Sequence, residues 1–288
     1  MRMRSEVERL IAQNENIPAV PGDYQNPEDG LLYCGKCHTK KQVRVELFGK
    51  SHTVHCMCAC EAEQQRLEEE ERKRLERIQQ IQRMKAAGLQ DPALRSYTFA
   101  NDKGDNPVME KARAYVEHWP EFYAQNIGLL LFGMVGTGKS FFAGCIANAL
   151  LDQGIPVLMT NFSKILNSLS GMFNEDRNKY IDSFNQYSLL IIDDLGIERN
   201  TEYALEQVFN VIDSRYRSGK PMIITTNLGL QQMKHPDPAD VAHARIYDRI
   251  LERCQPIAFM GKNYRTEIAQ TNRELLVGLF ADSIGGDK

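Results

Sequence analysis

The chain has 288 residues, enough for one large domain and a small one. With 42% hydrophobic and 25% charged residues it has the composition of a globular protein, which excludes disordered and collagen-like classes. A formal net charge of −3 neither requires nor excludes nucleic acid, since a local basic face can sit inside it. No apolar run approaches the ~20 residues of a membrane span. Met1 to Glu6 lacks the apolar core of a signal peptide, so a cytoplasmic location without a membrane partner is expected.

Residues 1–33 read as an N-terminal arm, with a short helix over Ser5 to Asn14 and then a loop punctuated by Pro18, Pro21, Gly22, Pro27 and Gly30. Residues 34–60 hold five of the seven cysteines, and in a cytosolic chain that clustering points to metal rather than disulfides. Cys34 and Cys37 form one knuckle. Cys58 and Cys60 are the expected second pair, with Cys56 in reserve. Val43, Val45 and Leu47 alternate with polar residues, and a turn at Gly49-Lys50 leads to a second strand, Thr53 to His55. Four thiolates round one Zn²⁺ make a closed structural site, and His38, His52 and His55 are weaker candidate ligands. Lys36, Lys40, Lys41, Arg44 and Lys50 form either a nucleic-acid face or a solvated one. Residues 61–91 predict a charge-dense, solvated linker helix, because Leu75, Ile78, Ile81 and Met84 are too few for a heptad seam. Gly88 is the expected C-cap.

From residue 92 to 288 helical and strand-like stretches alternate. Helices are expected over Asn106 to Gln125, Phe162 to Phe173, Arg177 to Asn185, Glu202 to Ser218, Asp240 to Cys254 and Tyr264 to Leu279. Strands are expected over Ile127 to Phe132, Pro156 to Asn161, Leu189 to Asp194, Met222 to Thr226 and Ile257 to Met260. Short, uniformly apolar strands alternating with helices mean an α/β fold with a parallel sheet covered on both faces. Ligands in such a sheet bind at the carboxyl ends of the strands.

Gly133-Met134-Val135-Gly136-Thr137-Gly138-Lys139-Ser140 follows the first of those strands and fits the pattern G-x-x-x-x-G-K-[ST] at every fixed position. Unpaired N–H groups and the dipole at the start of the next helix attract phosphate there. Gly133, Val135, Gly136, Thr137, Gly138, Lys139, Ser140 and Phe141 form the expected nucleotide-contact set, with Lys139 on the β- and γ-phosphates and Ser140 on Mg²⁺. A nucleoside triphosphate is the implied ligand. Leu189 to Asp194 ends a buried strand in two carboxylates: Asp193 for the Mg²⁺ shell, and Asp194 to orient or deprotonate the attacking water. Glu198 is the reserve base. Asn227, after another strand, is placed to touch the γ-phosphate, and Arg245 and Arg249 share one helix face.

Together these motifs resemble the AAA+ helicase-loader family, the DnaC/DnaI type of bacterial replication protein, with IstB-type transposition ATPases as relatives. The likeness covers about residues 92–270, and the cysteine module is similar to that of many loader-like proteins. The resemblance implies a P-loop NTPase fold of the AAA+ class, preceded by a zinc module and a linker helix. It implies contact of Tyr97-Thr98-Phe99 near the adenine, Asn227 as first sensor, Arg249 as arginine finger and Arg265 as second sensor. It further implies ATP hydrolysis, a hexameric replicative helicase and single-stranded DNA as partners, and self-association through the finger. The other functions open are an IstB-like transposase helper and a zinc-bearing binding module whose nucleotide is structural.

Overall fold

β-Prone runs punctuated by glycine build the N-terminal of two units, which meet in sequence at Gln79 and Gln80. The computed structural model describes residues 20–196 and 201–284, with Glu6 and Arg9 in addition; most of the helix expected at Ser5 to Asn14, and Glu198, lie outside the described residues. β1 (Tyr24–Gln25) pairs antiparallel with β2 (Leu32–Tyr33), and β3 (Gln42–Leu47) with β4 (Lys50–His55). The hairpin turn falls on Phe48 and Gly49, at φ 54° and 75°, one residue earlier than the sequence suggests. Two positive φ values match the twist of a two-residue hairpin, so β4 starts at Lys50 rather than Thr53.

α1 (Ala59–Gly88) is exposed over most of its length and is laced by ion pairs such as Arg66–Glu63 at 2.7 Å, Arg66–Glu70 at 2.9 Å and Arg72–Glu76 at 2.9 Å. Gly88 does not cap it in a left-handed turn. It is buried, and a Cβ there would lie 2.0 Å from the Val157 carbonyl oxygen. Leu89 then forms a parallel bridge to Met159, so glycine is needed for close approach to the sheet.

In the C-terminal unit the helix expected over Asn106 to Gln125 is two: α2 (Met109–Glu117) and α3 (Trp119–Ala124). Pro120 explains the break, because proline fits the first turn of a helix but not its interior. β5 (Gly128–Gly133), α4 (Lys139–Asp152), β6 (Val157–Asn161), α5 (Phe162–Ser170), α6 (Asn174–Ser183) and β7 (Leu189–Leu195) follow. Then come α7 (Glu202–Arg217), β8 (Met222–Thr226), α8 (Leu230–Lys234), α9 (Val241–Arg253), β9 (Cys254–Phe259) and α10 (Tyr264–Ile284).

All five strands run parallel in the order β6-β7-β8-β5-β9. Side-chain alternation divides their apolar residues between two cores. Leu129, Leu131, Ile191 and Ile223 pack with α2, α3 and α4 on one face. Leu130, Leu190, Ile192 and Ile224 pack with α5, α7 and α9 on the other. Each such side chain contributes about 1.5–3 kcal/mol on burial, enough to override the modest helix propensity of Phe- and Asn-containing α4.

Arg215 of α7 is 1% exposed and pairs with no carboxylate among the described residues. Its guanidinium donates to the carbonyls of Phe184, Tyr187, Ser188 and Pro221, tying together the chain segments that enter β7 and β8. Burial pushes its pKa down to about 10, still high enough to keep it charged.

Candidate functional site

Strand order decides what meets at the carboxyl edge of the sheet. β5 lies beside β8, so the loop after β5 faces Asn227 just beyond β8. The loop takes positive φ at Gly133, Gly136 and Gly138, and Gly138 is the N-cap of α4. Lys139, only 5% exposed, donates from Nζ to Gly133 O at 2.8 Å, Met134 O at 2.7 Å and Asn227 Oδ1 at 2.8 Å. Burial lowers its pKa, against the opposing pull of Asp194 and Asp193.

The Ser140 hydroxyl lies 2.9 Å from Asp193 Oδ1. Asp193 and Asp194 stand opposite one residue, Thr225, because the β7–β8 register shifts between Ile192 and Leu195. Strict alternation would send adjacent side chains to opposite faces of the sheet; a bulge re-aims one of them. Asp194 takes φ 60°, a left-handed conformation that aspartate tolerates. Burial raises the pKa of its carboxyl, the charge of Asp193 adds to this, and Lys139 and Arg265 oppose it.

A cleft of about 490 Å³ opens here. Its lining includes Val135, Gly136, Thr137, Gly138, Lys139, Ser140, Phe141, Asp194, Asn227 and Arg265. Gly133 and Asp193 hold lining residues through the hydrogen bonds just described. Tyr97 lines the cleft and its ring lies 5.5 Å from that of Phe141. Phe99 does not line it; it sits under the Arg113 guanidinium at 4.7 Å. Arg245 and Arg249, on α9, are not among the residues lining the cleft. Arg249 instead donates from Nε to Asp213 at 2.9 Å.

Three supports were not read from sequence. Thr225 is fully buried and donates to Asp193 Oδ1 at 2.6 Å while accepting the Asp194 N–H. Asn148 donates to the carbonyls of Leu94 and Tyr97, both at 2.9 Å, and clamps the segment that carries Tyr97. Asn263 caps α10 by accepting from Arg265 N, and the preceding N–H, that of Tyr264, donates to Gly136 O at 2.9 Å. A Cβ at Gly136 would collide with the Asn263 amide. A lone polar residue in or beside a strand or helix carries no local mark of such a role. The only signal for Thr225 was its place before Thr226-Asn227.

In the N-terminal unit the ligand atoms of Cys34, Cys37, Cys58 and Cys60 all lie within 4.8 Å of one another. Cys56 turns away and its thiol contacts Lys40 O at 3.5 Å. The convergent group contains no histidine among the described residues. The Thr39 hydroxyl and backbone N–H groups bring Cys37 down to about 5, while the crowded sulfurs of Cys58, Cys34 and Cys37 push Cys60 up to about 12. Lys41 is buried and salt-bridged to Asp23 and Glu61, both at 2.9 Å. Those carboxylates accept from Gly35 N and Cys58 N, one in each knuckle. Lys41 is thus a brace for the two knuckles, not part of an open basic face, and Lys40 is paired with Asp29 at 3.0 Å.

No helix among the described residues is long and apolar enough to cross a membrane. The family model described as "IstB-like ATP binding protein" matches residues 53–272. The chain is 26% identical over 170 residues to the replicative helicase loader DnaC of Escherichia coli, covering 58% of this chain and 66% of DnaC, just under two thirds of that relative's length. It is 27% identical over 139 residues to an insertion-sequence ATP-binding protein of Mycobacterium tuberculosis, covering 48% of this chain and 55% of that one. The solved structure of DnaI superimposes with a TM-score of 0.50 at 24% identity, over 60% of this chain and 93% of DnaI, which shows a shared fold. With a family model matching most of its length and a five-stranded parallel sheet that carries the phosphate loop, the chain belongs to the IstB-like ATP-binding family and has the AAA+ fold of the DnaC/DnaI type.

Proposed function

We propose that this protein binds and hydrolyses ATP to deliver a hexameric replicative helicase onto single-stranded DNA. The observation that carries the reading is the paired geometry of Lys139 with Asn227 and Ser140 with Asp193, in a chain similar to a helicase loader. The backbone N–H groups of residues 136–140 and the Lys139 ammonium would receive the phosphates of ATP. To do so Lys139 exchanges the Gly133 and Met134 carbonyls for phosphate oxygens and can keep Asn227, which brings that amide to the γ-phosphate. Ser140 and Asp193 offer hard oxygen donors side by side and would hold Mg²⁺, which supplies charge neutralisation on the phosphates when bound. Asp194 has the raised basicity and the position to orient or deprotonate the attacking water. Arg265 meets the phosphates from the same cleft, and Arg249 acts on the ATP of an adjacent copy.

The test uses purified full-length chain, the replicative helicase of the same cell, and a DNA circle coated with single-strand-binding protein. ATP and this protein together should raise helicase-dependent unwinding well above helicase alone. No stimulation, together with no physical association with that helicase, sinks the reading. A second reading is favoured by the family match and the insertion-sequence relative: an ATPase that assists a transposase at target DNA. Capture of the adjacent transposase and ATP-dependent strand transfer would select it. Absence of turnover with and without single-stranded DNA would leave only a structural nucleotide.

The cysteine cluster supports a structural Zn²⁺. Four thiolates at about 2.3 Å from a tetrahedral ion stand about 3.8 Å apart, and the sulfur pairs Cys34–Cys60 and Cys58–Cys60 are already at 3.5 and 3.3 Å. Cys34, Cys37, Cys58 and Cys60 would hold it, and a filled thiolate set has no open position for catalysis. Elemental analysis should find one zinc per chain. Cys34→Ser should lose it and unfold the N-terminal unit, as read by proteolysis, while ATP binding persists. A zinc-free protein with a protease-resistant N-terminal unit contradicts this assignment.

A further inference from the structure

Arg249 is held from several sides before any neighbour arrives. Its Nε–H donates to Asp213 Oδ1 at 2.9 Å and its Nη1 to the Arg245 carbonyl at 3.2 Å. The guanidinium plane lies over the ring of Phe209 at 4.7 Å and near that of Tyr216 at 5.7 Å. These contacts set the plane and the inner edge of the group, and Nη2 has no hydrogen-bond acceptor among the described residues. The side chain is 25% exposed, so the group is seated yet reachable.

Asp213 does not simply neutralise Arg249. Its second carboxylate oxygen accepts from Arg217 Nη2 at 2.8 Å. Two guanidinium groups thus share one carboxylate, and the trio keeps a net charge of about +1 because arginine stays protonated. An isolated arginine–aspartate pair would present no net charge to phosphate; this trio does. Arg217 is 73% exposed and Asp213 15%, so the half-buried carboxylate links one seated and one solvent-exposed arginine.

We propose that Asp213 is a positioning residue for the trans-acting arginine. It grips the Nε edge of Arg249, so that the Nη2 edge is presented to phosphates bound by an adjacent copy, and Arg217 restores the positive charge. The inference rests on the reading of Arg249 as an arginine finger. Its physical content is pre-organisation: the freedom a long side chain must lose at the phosphates is removed beforehand. Asp213 comes from α7, a different helix from Arg249, and helical spacing around the finger does not reveal it.

The experiment measures ATP turnover of the full chain assembled on an oligo-dT strand, alone and in mixtures of variants. Asp213→Ala should leave the KM for ATP within about twofold and lower kcat ~10²-fold, the size of effect that a misplaced reacting group produces. Asp213→Asn retains an oxygen acceptor for the Nε–H and should recover most of the rate. Mixing Asp213→Ala with Lys139→Ala should restore partial activity, because the second variant supplies a seated finger to the intact phosphate loop of the first. Mixing Asp213→Ala with Arg249→Ala should restore nothing, since both lack a competent finger. Wild-type turnover in Asp213→Ala overturns the proposal. So does a defect that Lys139→Ala fails to repair although the Arg249→Ala and Lys139→Ala mixture recovers. If that control mixture itself shows no recovery in assemblies verified as mixed, the finger reading falls and takes this inference with it. Should Asp213→Ala lose ATP binding through misfolding, Asp213→Ser, too short to reach the Nε–H, takes its place in the same mixtures.

Discussion

Lys139→Ala is expected to abolish ATP binding at ordinary nucleotide concentrations while leaving the fold intact. The lysine contributes a positive charge at the mouth of the loop and almost nothing to the apolar cores. Its three present acceptors are two loop carbonyls and the Asn227 amide, beside an open cleft where water can replace it. Hydrogen bonds from a charged donor are worth about 1.5–3 kcal/mol each. Two of them lost to the β- and γ-phosphates weaken binding by ~10²-fold or more. Calorimetry or a fluorescent ATP analogue measures the affinity, and circular dichroism checks the fold. An affinity within a few-fold of the unmodified protein contradicts the phosphate-loop reading.

Arg249→Ala is expected to keep ATP binding near the unmodified level and to lower turnover by ~10³-fold or more, the range of arginine fingers at related sites. The geometry separates the two effects. Arg249 is absent from the lining of its own cleft and is seated between α7 and α9. Losing it leaves Asp213 still paired with Arg217, so the fold is spared an uncompensated carboxylate. Turnover is read with single-stranded DNA and the helicase present. Arg245 is exposed on the same helix and provides the internal comparison. A defect confined to Arg245→Ala keeps the shared site but moves the finger by one helical turn. Unchanged turnover in both variants removes the shared site altogether.

The phosphate loop was legible in the sequence because its requirements are local. Gly136 and Gly138 must adopt positive φ, Lys139 and Ser140 must open a helix, and a strand must precede them. Parallel architecture was legible for a similar reason: strands buried on both faces must be apolar along their buried stretch, and residues 128–132, 189–192 and 222–224 carry no polar side chain. Cysteine spacing placed the four convergent thiols on the same reasoning, since two knuckles at the ends of a hairpin can close round one point. The helix break at Pro120 was missed and the turn at Phe48-Gly49 was placed one residue late, where periodicity fades and backbone geometry decides.

Strand order was beyond the reach of sequence, because an apolar strand of five or six residues says nothing about which neighbour it will pair with. Only that order sets Asn227 against Lys139 and brings Asp193 under Ser140. The β-bulge that turns both aspartates toward the site arises from the pairing of β7 with β8, a long-range register that no local pattern encodes. Thr225, Asn148, Asn263 and Asp213 share this character: each is a common polar residue whose role comes from the group that folding places beside it. Chemistry dictated by backbone conformation was thus readable residue by residue, whereas hydrogen bonds between distant segments were decided by the tertiary structure alone.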